Sequence, residues 1–291
     1  MPREDIAFQT SDNVTLRGWF YLPEASSTTP LPCVVMSHGF TAVKEMYLDK
    51  YAATITSSLP ISCLVYDHRG FGASDALPSA PRLEIITSLQ CSDLSDAITY
   101  AQSREDVNKE KIGIWGVAFS GGHCIKVGAV DRRVKAVLSQ VPMVNGWENF
   151  HRLTPPHLVA GAEGKAAMTI PVSPLNPKAT PAVQGIDAHE FFFGLGKGTE
   201  WKNEVTIKTM EEFRSYNPWV HIHRISPTPL PMAIAENDTL MPTDLALTAY
   251  SKALEPKELQ LLPGGHFGGY GAHFENVVKC QVEFLKKTLY T

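Results

Sequence analysis

The chain has 291 residues, a hydrophobic fraction of 44%, a charged fraction of 19% and a formal net charge of -4. It is long enough to bury a full core, and without a basic surplus it offers little to a phosphate backbone, so nucleic acid is not an expected partner. The opening MPREDIAFQTSDN holds no apolar run of secretory length and no later stretch reaches a membrane span, which predicts a soluble, cytoplasmic chain with no membrane partner.

In chain order, Val14 to Pro23 alternates like an early antiparallel strand, and the continuous apolar runs Pro32 to Gly39 and Ile61 to Asp67 read as buried parallel strands. Leu94, Ala97, Ile98 and Ala101 then fall on one helical face. Further strands follow at KIGIWG (from Lys111), Val134 to Pro142, Pro231 to Asp238 and Lys257 to Gly265; a helix with Val277, Val278, Val282, Phe284 and Leu285 closes the chain. Strands alternating with helices predict an α/β fold with a predominantly parallel sheet. Chemistry in such folds gathers in the loops at the carboxyl ends of the strands.

The rhythm breaks between Met143 and Ile225, where TPPHLVAGAEGKAAMTIPVSPLNPKATPAVQG is rich in Pro, Gly and Ala. A structureless insert of that size is improbable in a compact domain. The expected organisation is a core of residues 1–142 and 226–291 with an inserted cap, 143–225, of short helices and loops. Phe191, Phe192, Phe193 and Trp201 need the apolar cover that a cap over the active face provides.

Four loops carry chemistry. KIGIWGVAFSGGH reads as a strand, a sharp elbow and a helix, with the side chain two past Gly116 lifted to the apex. That residue is Ala118. SHGF follows an earlier strand. In AENDTLMP, Asp238 comes directly after a strand and ahead of a helix beginning near Pro242, a place from which a carboxylate reaches a histidine; Glu236 is read as still in the strand and Asp244 as already in the helix. In LPGGHFGGY, His266 stands between glycine pairs, whereas His273 falls where the last helix begins.

Together these loops resemble the α/β-hydrolase superfamily, whose triad runs nucleophile, acid, histidine along the chain. The resemblance implies a catalytic set of position 118, Asp238 and His266, with the backbone N–H groups of Phe40 and Phe119 as the oxyanion hole. DHRGFGAS, Asp67 to Ser74, looks like the superfamily's D-x-R-G-x-G-x-S loop, with Arg69 expected to brace neighbouring loops. No cofactor is implied.

Relatives of the form G-x-S-[FY]-S-G-G-H carry serine at the third position; here Gly116, Phe119, Ser120, Gly121, Gly122 and His123 match and only Ala118 departs. Three readings are open: an engineered variant lacking its nucleophile, a natural pseudoenzyme that binds a ligand, or a shifted register in which Ser120 attacks. The first is preferred because the base, its acid and both oxyanion loops are intact. Ser120 is expected in the first helical turn, satisfying backbone donors.

More narrowly, KIGIWGxxFSGGH, HGFTAVKEMYLDKYA and DHRGFGASD are similar to the dienelactone-hydrolase and acyl-peptidase-like branch, and within it to the fungal polyketide transferase and thiohydrolase family. That resemblance implies a small-molecule acyl ester or thioester as substrate, released by hydrolysis, transfer to an alcohol or lactone formation, with an acyl carrier protein as a possible partner. The remaining motifs are weak. The five scattered cysteines read as reduced thiols; His221 and His223 lack a third ligand at metal spacing; and GLGKG lacks the setting of a phosphate loop.

Overall fold

The computed structural model describes residues 3–24, 29–153, 169–173, 181–183 and 185–290. Strands β1 (Arg3–Gln9), β2 (Thr15–Tyr21), β3 (Leu31–Ser37), β4 (Ser62–Tyr66), β5 (Val107–Val117), β6 (Val134–Gln140), β9 (Leu230–Ala235) and β10 (Lys257–Leu262) form one eight-stranded sheet in the order β1-β2-β4-β3-β5-β6-β9-β10. β2 runs against both of its neighbours, and the other pairs are parallel. β3 and β4 are buried at every position, as expected for strands covered on both faces.

Helices α1 (Leu48–Ser58), α2 (Thr87–Ser103), α3 (Phe119–Val130), α7 (Thr243–Lys252) and α8 (Phe274–Leu285) cover the sheet. Leu94, Ala97, Ile98 and Ala101 of α2 are fully buried with α3 and α7 in one apolar layer. Leu48, Tyr51 and Ile55 of α1 join Val277, Val278 and Phe284 of α8 in the other.

Strand β1 has no counterpart in the sequence reading. Of its seven residues only Ile6 and Phe8 are buried, so its apolar signal is two side chains long. It is held by full antiparallel register with β2, from Arg3 opposite Tyr21 to Gln9 opposite Thr15.

The DHRGFGAS loop is a brace. Arg69 bonds Asp93 through Nε (2.7 Å) and Nη2 (2.5 Å), and Asp12 through Nη1 (2.7 Å) and Nη2 (2.9 Å). The Asp67 carboxylate accepts the Lys44 N–H (2.8 Å), Lys44 Nζ (2.7 Å) and the Ala73 N–H (3.0 Å). Bidentate guanidinium pairs of this kind add geometric definition as well as energy.

Between β6 and β9 the chain forms α4 (Gly146–Leu153), a two-stranded ribbon of β7 (Thr169–Ile170) and β8 (Val205–Thr206), α5 (Ile186–Leu195), α6 (Ile207–Ser215) and a 3-10 turn at Pro218–Arg224. Much of the Pro-, Gly- and Ala-rich stretch, namely 154–168, 174–180 and 184, lies outside the described residues. Phe192 stacks on Trp201 at 5.5 Å, with Phe193 edge-on to the same ring. Phe191 stacks on Phe267 at 4.5 Å. Among the described residues no helix is long and apolar enough to cross a membrane.

Candidate active site

β5 ends at Val117 and α3 starts at Phe119, so the whole reversal falls on Ala118, at φ 52 and ψ -114. A non-glycine residue in that region costs about 1–3 kcal/mol and persists only where its surroundings fix it. Three main-chain bonds do so: the Ala118 N–H donates to the Gln140 carbonyl (2.9 Å), and its own carbonyl accepts the N–H groups of Met143 (2.9 Å) and Gly122 (3.4 Å). Gly116 lets the elbow close, because a Cβ there would lie 2.1 Å from the Ser120 carbonyl oxygen.

The Ala118 methyl faces the loop after β3. A Cβ built on Gly39 would stand 3.2 Å from it. Phe40 follows in that loop, its ring edge-on to Phe119 at 5.7 Å. Among the described residues, no main-chain carbonyl takes the N–H of Phe40 or of Phe119. Both donors remain available at the elbow.

On the other side, β9 delivers Asp238 and the loop after β10 delivers His266. His266 Nδ1–H donates to Asp238 Oδ2 at 2.7 Å, and Asp238 Oδ1 accepts the N–H groups of Leu240 (2.9 Å) and Met241 (2.7 Å). Each residue is 5% exposed. A carboxylate tied by two backbone donors cannot swing, and it fixes both the tautomer and the plane of the ring. Ala118 and His266 line one cavity.

The rivals sit elsewhere. β9 stops at Ala235, so Glu236 lies in an exposed turn just past the strand, a small correction to its expected place within it. Asp244 is in the first turn of α7 and pairs with Arg152 at 2.7 Å. His273 immediately precedes α8.

Ser120 is the second residue of α3 and fully buried. Its hydroxyl donates to the His38 carbonyl at 2.5 Å, where backbone donors were the expected partners. With that proton committed, its oxygen accepts from His68 Nε2–H at 2.8 Å. The His68 N–H donates in turn to His38 Nε2 (3.0 Å), so His38 holds its proton on Nδ1 and shares it with the Gly39 carbonyl (3.0 Å). Burial pushes the His38 pKa down and the His68 pKa well down, which keeps both rings neutral. Ser120 therefore ties the elbow helix to the loop after β3 and does not line the cavity.

Two further networks escape sequence reasoning. On α3, His123 Nε2–H donates to Gln90 Oε1 (3.0 Å) and its Nδ1 accepts the Tyr216 hydroxyl (2.9 Å); burial lowers its pKa to about 3. Behind the histidine loop, Trp115 Nε1 donates to Gln281 (2.9 Å), Gln281 to Gln140 (2.8 Å), Gln140 to the Tyr51 hydroxyl (3.1 Å), and Tyr51 to the Gly269 carbonyl (2.7 Å). This chain ties the segment carrying His266 to β5 and β6. Nothing in local spacing announces it, since its members come from distant elements.

The cavity walls are apolar: Phe150 and Leu153 from α4, Phe191 and Phe192 from α5, Met210 and Phe213 from α6. Among the described lining residues there is no Asp, Glu, Lys or Arg, and the polar side chains are those of His38, His266 and Tyr270. Such a space suits an uncharged, apolar chain ending at a few fixed polar groups.

No protein-family model matches the chain. It is 31% identical over 295 residues to the polyketide transferase grgF of a Penicillium species, covering 99% of this chain and 97% of that one. It is 28% identical to the thiohydrolase aneE of Aspergillus aculeatus, over 98% and 93% of the two chains. The crystal structure of the α/β-hydrolase GrgF from Penicillium superimposes with a TM-score of 0.83 at 29% identity, over 100% of both chains. With a sheet of this order and full-length similarity to such relatives, the chain belongs to the polyketide transferase and thiohydrolase family of α/β-hydrolases.

Proposed function

We propose that the site is an acyl-transfer centre of the serine-hydrolase type for the acyl chain of a polyketide or another acyl ester or thioester. In the serine form, Oγ at position 118 attacks the acyl carbonyl, His266 takes its proton, and Asp238 holds the imidazole. The N–H groups of Phe40 and Phe119 stabilise the tetrahedral oxyanion. Water, an alcohol or a hydroxyl on the same chain then accepts the acyl group, the last giving a lactone. The observation that carries this reading is the 2.7 Å His266–Asp238 bond, with His266 lining the same cavity as the apex residue.

The present chain carries Ala118, which has no oxygen to acylate. It is proposed to bind the acyl compound without forming an acyl-enzyme, as an inactivated form of the enzyme; removal of a serine nucleophile costs about a millionfold in turnover elsewhere. The same methyl group favours a second reading, a small-molecule binding protein on a retired hydrolase frame. Residues 143–225 are proposed as a cap, supported by the contributions of α4, α5 and α6 to the cavity wall. A carrier protein delivering the acyl chain is part of the proposal.

The test is Ala118→Ser, incubated with a fluorophosphonate probe and a panel of acyl thioesters. Labelling and thiol release that appear only with serine, and vanish when His266 is also changed, support the enzyme. A serine form that binds the thioesters and neither labels nor releases thiol supports the binding protein. Equal hydrolysis by the alanine and serine forms would refute the assignment of position 118.

A further inference from the structure

We propose that the chain as it stands, with Ala118, uses His266 as a general base on the bound acyl compound itself, removing a proton from the carbon beside the acyl carbonyl and holding the enolate in the oxyanion hole. The inference rests on the acyl-binding reading above and assigns the site a reaction that needs no covalent intermediate.

Among the described lining residues, no side chain takes the place of the missing serine as an acyl acceptor. The cavity lining among the described residues holds no Ser, Thr, Cys, Lys or carboxylate. Its one hydroxyl belongs to Tyr270, whose pKa burial pushes well up. Ser120 lies behind the elbow with its proton given to the His38 carbonyl.

The remaining parts form a complete set for a different step. His266 donates Nδ1–H to Asp238, so the lone pair is on Nε2, and Nε2 has no hydrogen-bond partner among the described residues. The N–H groups of Phe40 and Phe119 have no main-chain acceptor among them either. His266, Phe40 and Ala118 line one cavity, and at position 118 a methyl group stands in place of a serine oxygen. A substrate atom can then approach the imidazole directly.

The walls decide which proton is taken. A water held for hydrolysis needs two to four polar partners, and the lining side chains around the elbow are mostly Phe, Leu, Met and Ala. An enolate needs only a base for its proton and donors for one oxygen, in a dry site where such donors act strongly. Proton transfer to an imidazole is efficient when the acid is not far weaker than the base, which points to a carbon between two carbonyls. The substrate class is therefore a β-oxoacyl ester or thioester. In the step, the C–H bond breaks, the proton passes to His266 Nε2, and the electron pair forms the C=C bond of an enolate whose oxygen lies between the two N–H groups. The imidazolium is balanced by Asp238, and its proton returns to carbon.

The experiment incubates the unaltered protein in D2O with an α-methyl-β-oxoacyl thioester of N-acetylcysteamine and follows deuterium at the α-carbon by mass spectrometry, with the buffer rate subtracted. Saturable exchange is expected. His266→Asn should reduce it by about 100-fold or more, and Asp238→Asn should reduce it in a protein whose unfolding midpoint shows it to be folded. Exchange by the unaltered protein at the buffer rate, or exchange equal in either folded variant, overturns the inference. Fluorophosphonate labelling of Ala118→Ser with no exchange by the alanine chain keeps the acyl-transfer reading and removes this one. Exchange without labelling does the reverse.

Discussion

Replacing Ser120 by alanine separates the two roles a serine near the elbow could play. The substitution removes one hydroxyl that serves two buried groups: the His38 carbonyl, 2.5 Å away, and His68 Nε2–H, 2.8 Å away. Both histidines are within 2% of full burial and water has no access to replace the bonds. An orphaned buried polar group costs about 1–3 kcal/mol, so a net loss of about 3 kcal/mol is expected after slight relaxation. Urea unfolding followed by tryptophan fluorescence should show the midpoint falling with the slope unchanged, which marks a loss of stability without a change in the unfolded state. In the Ala118→Ser background the same substitution should leave fluorophosphonate labelling in place. A loss under about 0.5 kcal/mol would refute the proton accounting around Ser120. Abolished labelling in a folded protein would make Ser120 the nucleophile.

Other substitutions probe the frame and the cavity. Gly116→Ala drives a Cβ to 2.1 Å from the Ser120 carbonyl oxygen, between two stretches of backbone; a loss above about 4 kcal/mol or failure to fold is expected, read by thermal unfolding. His123 titrates at about 3 when folded, against an ordinary 6.5, so the unfolded chain takes up its proton first as pH falls. Stability is complete above the ordinary value and declines by about 2 kcal/mol on going down to about pH 5 from this residue alone, with His38 and His68 acting in the same direction. His123→Gln should flatten that slope in urea titrations across the range, and an unchanged slope would assign it to other groups. Phe191→Ala removes a half-buried ring from the cavity wall, where it stacks on Phe267. Calorimetry with a medium-chain acyl thioester should show binding weakened by about 1–3 kcal/mol.

The central strands are legible because burial on both faces forces continuous apolar runs, as in the CVVM of β3 and the SCLVY of β4. β1 escapes because an edge strand with one solvated face shows only Ile6 and Phe8. In α1 the spacing of Leu48, Tyr51, Ala52 and Ile55 is helical, but the pattern is short and runs out into Thr56, Ser57 and Ser58. At the site, Asp238 and His266 stand out because each lies in a loop of unusual composition just after a strand. The use of Ser120 could not be read: its partner carbonyl is 82 residues away, and only the folded chain places it there. The same holds for Gln140, which looks like the polar end of a buried strand. In the fold it carries both the Ala118 bond and the link toward Gly269.

The Trp115–Gln281–Gln140–Tyr51 relay has an evolutionary consequence. It reaches Gly269 without using any atom of the side chain at the apex, and Asp238 is anchored by its own backbone donors. The imidazole is thus mounted independently of whatever it acts upon. A lineage can exchange serine for alanine at that position, or back again, in a single substitution and leave both anchorages in place.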